Sequence, residues 1–407
     1  MVGLKKLAPR FLAIGIALTT VGFFSSVGPV SANAAAKKTV KKVKHFQYHV
    51  GLNIDLSGTL AFQGGPFKEG FEAYINSINK KGGVNGHKVD VSALDDMSTV
   101  STAIANVEQL KQADHVSAVV GMLSSSEGVG LEPTSNSLKL PLFDTLVSAA
   151  SNGSYQWGID TPISDEPVAQ VAFAAYLMKQ EGITSPKVAF LTVTTPVIAN
   201  WLALAEQLVT AKGWTIVSNQ QSALTATSLT SEDQAIATAK PDVVIEAESS
   251  GAAILSVRDF QSFGLNVPVL EHTSGGIASN FTTLADPNYY ALVSEQQVGI
   301  DRNSAITAEA AAAAAAGVPI NSFFSNGYQN AYEIAKFLAK CPGECTSVQM
   351  EATIKNYGTM TTGGLSQGPL LWSPSYHGGV QWVREYHWIT GGSIVPVGPK
   401  YNVNQAG

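Results

Sequence analysis

The chain is short of charge: Asp, Glu, Lys and Arg make up 14% of its 407 residues, against roughly 25% in an average soluble protein. Cysteine is scarcer still, with two residues, and the seven histidines are scattered. A multi-ligand metal site built on those residue types is therefore not expected. None of the histidines stands in an HExxH or other recognisable catalytic setting, and the two cysteines are not a CxxC redox pair. After residue 45 no uninterrupted apolar run reaches the ~18 residues that a membrane-spanning helix requires. What is present is acidity. All 31 Asp and Glu lie after residue 44, where 17 Lys and Arg remain, so residues 45–407 carry a net charge of −14 although the whole chain is −6. With no basic stripe to hold phosphates, nucleic acid is not an expected partner. The 45% apolar content and a prior of ~150 residues per domain suggest two to three domains with a full core.

The acid-free first 44 residues read differently. Lys5, Lys6 and Arg10 precede an uncharged apolar stretch of 17 residues, 11–27, followed by Gly28, Pro29 and the run Ser31-Ala32-Asn33-Ala34-Ala35-Ala36. This is the layout of a secretory leader, residues 1–34, with cleavage after Ala34 or, alternatively, Ala36. The stretch also sits at the lower limit for an uncleaved anchor. No cysteine stands near the junction, so a lipoprotein is not expected and the product is an exported chain. Residues 35–46 form a tail concentrating Lys37, Lys38, Lys41, Lys42 and Lys44. It is either a solvated segment or a contact for anionic lipid or wall polymer, at about 1 kcal/mol per lysine. Export places Cys341 and Cys345 in oxidising surroundings, where the very short loop between them is expected to close as a disulfide.

From residue 48 onward, short β-rich apolar runs alternate with helical patterns. Strands are expected at 48–54, 89–94, 116–120 and 140–143, with helices from Pro66 or Phe67 to about residue 80 and over 99–113. The connections are too long for hairpins, so the sheet should be parallel and covered on both faces. A second set follows, with strands at 187–193, 215–217, 242–247 and 267–271 and helices at 198–212, 231–238 and 251–263. Late helices are expected at 307–316, 327–340 and 348–357, then antiparallel hairpins over 368–397. The expected class is α/β, with two doubly wound lobes of parallel sheet.

Particular residues carry a more specific likeness. Leu56-Ser57-Gly58, Gly64-Gly65, residues 71–80 running into Gly82-Gly83-Val84-Asn85-Gly86, and Asp95-Asp96 come first. Val119-Val120-Gly121 with Ser124-Ser125-Ser126, residues 141–144 and 157–165, Gly327-Tyr328, Gly368-Pro369-Leu370, Ser373-Pro374 and His377-Gly378 follow in order. Over about residues 48–398 this set resembles the leucine/isoleucine/valine-binding proteins, extracytoplasmic receptors of ABC importers with the type I periplasmic-binding-protein fold. The resemblance implies two Rossmann-like lobes, residues 47–163 with 300–365 and 164–299 with 366–407. Three strands would join them, near 160–165, 297–301 and 363–368, and the lobes would close on a small-molecule ligand. It implies a monomer working with an importer's membrane subunits, without a cofactor.

The run Ser124-Ser125-Ser126 ends a strand where a helix should begin near Glu127, and hydroxyls and N–H groups at a helix N-terminus suit a carboxylate or simply cap the helix. By resemblance, Ser125 donates to a ligand carboxylate, Leu146 offers a carbonyl and Ser148 a hydroxyl and N–H. Gln63 falls on an aromatic wall position beside Phe62, and Phe323 or Phe324 on another apolar wall. The second half departs from the family. Pro196-Val197 and Glu248-Ser249-Ser250 replace two tyrosines, and Thr273 replaces the glutamate that pairs with a ligand ammonium. Glu271 and His272 lie within two residues of it, and Glu248 is an alternative counter-charge. The carboxylate half of the site is therefore retained and the amine half altered, so amino acids, amides and organic or aromatic acids are all candidates. A sensor using the same fold and an exported hydrolase are the competing classes. Asp95-Asp96 does not make a glycosidase pair, because adjacent strand residues point to opposite faces.

Overall fold

The computed structural model describes residues 46–144, 155–297 and 299–403, with only the backbone of Ser125. The expected leader, the tail up to His45, Leu146 and Ser148 lie outside the described residues.

The first lobe begins with β1 (Tyr48–Ile54), α1 (Ala61–Lys80), β2 (Val89–Asp95), α2 (Val100–Gln112), β3 (Val119–Gly121), α3 (Ser125–Leu138), β4 (Leu142–Asp144) and β5 (Gln156–Gly158). Its sheet has the order β2-β1-β3-β4-β5, parallel throughout. The second lobe follows with α4 (Pro167–Gln180), β6 (Lys187–Val193), α5 (Pro196–Ala211), β7 (Thr215–Ser222), α6 (Thr230–Ala239), β8 (Val243–Ala247), α7 (Ser250–Ser262), β9 (Val269–Glu271), α8 (Ala278–Leu284) and β10 (Tyr289–Val293). The chain then supplies α9 (Ser304–Ala316), α10 (Ser322–Lys340), α11 (Ser347–Lys355), β11 (Gly358–Met360), β12 (Leu370–Ser373) and β13 (Tyr376–Gly379) to the first lobe. Last come β14 (Trp382–Ile389) and β15 (Ser393–Asn402). These complete a sheet of order β15-β14-β10-β9-β8-β6-β7, in which only the β14 and β15 pairings are antiparallel.

Apolar periodicity explains the layers. In α1, Phe67, Phe71 and Ile75 are buried against Val50, Leu52 and Ile54 of β1. Val107 and Leu110 of α2 enter the core on the sheet's other side. Two glycines fix how closely α1 meets α10. A Cβ on Gly70 would stand 2.0 Å from the Phe324 carbonyl oxygen, and one on Gly327 2.0 Å from that of Phe67. The helices thus touch backbone to backbone, which brings their N-terminal turns together. Cys341 and Cys345 are bonded just beyond α10, and the Cys345 carbonyl accepts a hydrogen bond from Ser117 Oγ at 2.6 Å.

Two expectations are corrected, and one helix was not expected. Helix α1 begins at Ala61 rather than at Pro66 or Phe67. The Leu60 carbonyl already receives the N–H groups of Gln63 and Gly64 at 2.8 and 3.1 Å, so the helix forms ahead of Pro66, which lies inside it and cannot donate to the Phe62 carbonyl. Helix α4, to which no pattern had been assigned, is apolar on most sides because it is buried by β8, β9, β14 and β15. Finally, residues 366–380 belong to the first lobe. Leu370, Trp372 and Val380 lie in the same core as Trp157, and Trp372 Nε1 donates to the Gly158 carbonyl at 3.0 Å. The segment around residue 366 visits the second crossing, where Gln296 N–H donates to Leu365 and Gln367 N–H to Ser294 at 2.7 and 2.9 Å. It then returns, and the third crossing falls after Val380.

Candidate functional site

In both sheets the strand order reverses beside the first strand, between β1 and β3 and between β6 and β8, and such switch points open a crevice at the carboxyl ends of parallel strands. A cavity of about 400 Å³ lies there, a size typical of small-molecule sites. From the first lobe, Leu60, Phe62 and Gln63 reach it at the start of α1, Leu123 after β3, and Phe323 and Asn326 at the start of α10. The rings of Phe62 and Phe323 meet edge to face at 5.9 Å, a consequence of the glycine contact between the two helices. Second-lobe residues Ser249, Ser250 and Gly251 face it at the start of α7, with Thr273, Ser274 and Gly276 after β9. Asp160, Ser294 and Glu295, from the first two crossings, complete it.

Of the residues singled out by sequence, Gln63, Ser249, Thr273 and Phe323 converge here, whereas Phe324 is fully buried in the core behind. Ser249 caps α7, accepting from Ala252 N–H at 3.4 Å. Ser124 caps α3, accepting from Glu127 N–H at 3.3 Å, while Leu123 rather than Ser124 lines the cavity. Two expected contacts are corrected. Val197, the second residue of α5 after the Thr195 cap and Pro196, packs half-buried on the second-lobe core. Glu248 is buried and is satisfied from behind, its two oxygens accepting from Ser222 Oγ at 2.8 and 3.0 Å.

Behind the second-lobe wall runs a polar network. Thr273 Oγ1 and N–H donate to the two oxygens of buried Glu166 at 2.6 and 3.2 Å. His272 lies 3.4 Å from Glu166 and 3.3 Å from Glu271, with Nε2 2.8 Å from the Glu248 carbonyl. Glu271 and Glu246 are register neighbours on β9 and β8, and burial holds both carboxyls well above the usual range. Behind the first-lobe wall, Asp55, Asp96 and Glu127 bring carboxylate oxygens within 4.8 Å of one another. Burial, reinforced by the neighbouring acids, lifts Asp96 to about 8 and Glu127 to about 7. This trio is made of oxygen alone, so counts of cysteine and histidine do not address it.

Two features escaped the sequence reading. Asp160, Glu295 and Asn326 come from three distant segments and carry no local motif. Gly364-Leu365-Ser366-Gln367-Gly368 has the spelling of a nucleophile elbow. Ser366 is nevertheless buried, its Oγ donating to the Gly368 carbonyl at 2.6 Å and meeting Thr362 Oγ1 at 2.8 Å, and it is not placed between a strand and a helix. His377 is occupied by stacking on Trp157, with ring centroids 3.7 Å apart.

The fold and the cleft define a two-lobed α/β binding protein. The chain belongs to the periplasmic binding protein family, whose pattern matches residues 47–392. It is 34% identical over 76 residues to Leu/Ile/Val-binding protein homolog 1 of Brucella abortus (strain 2308), covering 19% of this chain and 20% of that protein. The chain thus spans about a fifth of that curated relative's length. A branched-chain amino acid ABC transporter protein from Thermus thermophilus with bound valine superposes with a TM-score of 0.75 at 17% identity, covering 88% of this chain and 97% of that one. A solute-binding protein of an ABC transporter from Rhodopseudomonas palustris BisB5, in complex with 3,4-dihydroxybenzoic acid, gives 0.73 at 18% identity, over 88% and 98%. At these identities the structures establish a shared fold. No helix among the described residues is long and apolar enough to cross a membrane.

Proposed function

We propose that this chain is the extracytoplasmic solute-binding protein of an ABC importer, capturing a small polar molecule by hinge closure without chemical turnover. The supporting observation is the cavity itself, lined by helix starts and strand ends from both lobes and by the crossings between them. A ligand that touches both lobes is bound more tightly by the closed form, and that differential affinity draws the lobes together. The closed form then presents a joined surface to the importer's membrane subunits.

The test is a thermal-shift screen of the mature chain against amino acids, amides, aromatic acids and short-chain acids. A binder raises the melting temperature by about RT ln(1 + [L]/Kd) in free energy. A saturable rise with recovery of the compound unchanged supports the proposal. Conversion of the compound, or a flat response to the whole panel, contradicts it.

A further inference from the structure

The cleft is rich in acceptors and poor in cations. No Lys, Arg or His is among its described lining residues, while Asp160 and Glu295 both are. Asp160 stands in the first crossing and Glu295 in the second, and Asn326 of α10 bridges them. Its Nδ2 donates to Asp160 Oδ2 at 3.1 Å and to Glu295 Oε1 at 3.0 Å. Ser294 Oγ adds a bond to Asp160 Oδ1 at 2.8 Å. With its amide nitrogen so engaged, Asn326 presents its Oδ1, and that buried oxygen has no hydrogen-bond partner. The same is true of Gln63 Oε1, on the same first-lobe wall. Orphaned acceptors beside two carboxylates call for a ligand group with several donors and a positive charge.

We infer that the ligand carries a cationic nitrogen, a primary ammonium or its equivalent, and that Asp160, Glu295 and Asn326 receive it. The inference rests on the solute-binding reading and deepens it by naming the ligand class. It also gives Thr273 a rationale: the counter-charge is supplied by the crossings, not by the wall after β9. Burial raises both carboxyls, Asp160 further through the charge of Glu295. Such a pair gains most from a cation, because two buried like charges are costly without one. Placing the receptor on the crossing strands puts the recognised charge at the hinge itself, where binding and lobe closure are coupled.

The experiment is calorimetry on the mature chain with matched probes, the twenty amino acids against their desamino acids, leucine against 4-methylpentanoate being one pair, and against simple primary amines. Amine-bearing probes are expected to bind at least roughly 100-fold more tightly than desamino partners. Glu295→Gln should remove that preference while desamino acids change by less than about threefold. Equal affinity of an amino acid and its desamino partner in the unaltered protein overturns the inference whether or not the variant folds. Retained preference in a folded Glu295→Gln does the same. If nothing binds, including aromatic acids and amides, the solute-binding reading fails and carries this inference with it.

Discussion

The first-lobe wall of the cleft is positioned by packing, whereas the second-lobe wall hangs on hydrogen bonds. On one side, Phe62, Gln63, Phe323 and Asn326 are brought together because α1 and α10 meet at Gly70 and Gly327. The carboxylates behind that side, Asp55 and Glu127, have no hydrogen-bond partners for either oxygen. On the other side, Thr273 is held by Glu166 through two bonds, and the carboxylates behind it belong to a connected network. The difference teaches that buried acids, raised by desolvation in both walls, are left to repel one another in one and are tied into a hydrogen-bonded fastening in the other.

Four substitution or titration experiments probe this contrast. The largest effect is expected from Gly327→Val, whose Cβ would collide with the Phe67 carbonyl oxygen at 2.0 Å. Overpacking at a backbone contact should lower unfolding free energy by about 3 kcal/mol, read from urea midpoints, and should abolish ligand binding by separating the two helix starts. An unchanged midpoint would remove helix packing as the basis of the first wall.

The pH response comes next. A carboxyl raised in the folded state binds more protons than in the unfolded chain, so its contribution is intact below its unfolded value near 4 and declines as pH rises. With Asp96 near 8 and Glu127 near 7, the melting temperature should fall between about pH 4 and pH 8. Asp96→Asn combined with Glu127→Gln should flatten that fall. A profile that keeps its slope in the double variant would place the sensitivity elsewhere, with the second-lobe acids the next to change.

Thr273→Val should cost about 2 kcal/mol, because it leaves the Glu166 carboxylate short of its 2.6 Å partner. Thr273→Ser should recover most of it, and urea denaturation distinguishes the two. The smallest effect, about 1 kcal/mol, is expected for Ser249→Ala, which removes the α7 cap. Its test is a parallel stability measurement with Ser124→Ala at the start of α3. A loss well above that of Ser124→Ala would mean Ser249 has a structural partner beyond its cap.

Periodicity and turn residues made most of the α/β order readable, and the late hairpins as well. They failed where burial erased the pattern, as in α4, and where a later contact decided the outcome, as for residues 366–380, drawn back to the first lobe by Trp372. In the cleft, Gln63, Ser249, Thr273 and Phe323 were readable through the family resemblance, which aligns each with a binding position. Glu248 misled because Ser222, at the end of β7 and two strands away from β8, claims its carboxylate. The Asp160–Glu295–Asn326 group was invisible because its members are joined only by folding.

The central claim, that the two lobes close on a small solute, is tested most directly by an interlobe distance. Val129 and Leu224 are 59% and 66% exposed and lie in opposite lobes, and the chain's two cysteines are bonded to each other. Spin labels on Val129→Cys/Leu224→Cys therefore report this separation alone, measured by pulsed dipolar spectroscopy with and without a compound that raises the melting temperature. The account predicts a shorter, narrower distance distribution with the compound present. An identical distribution at saturation would contradict it.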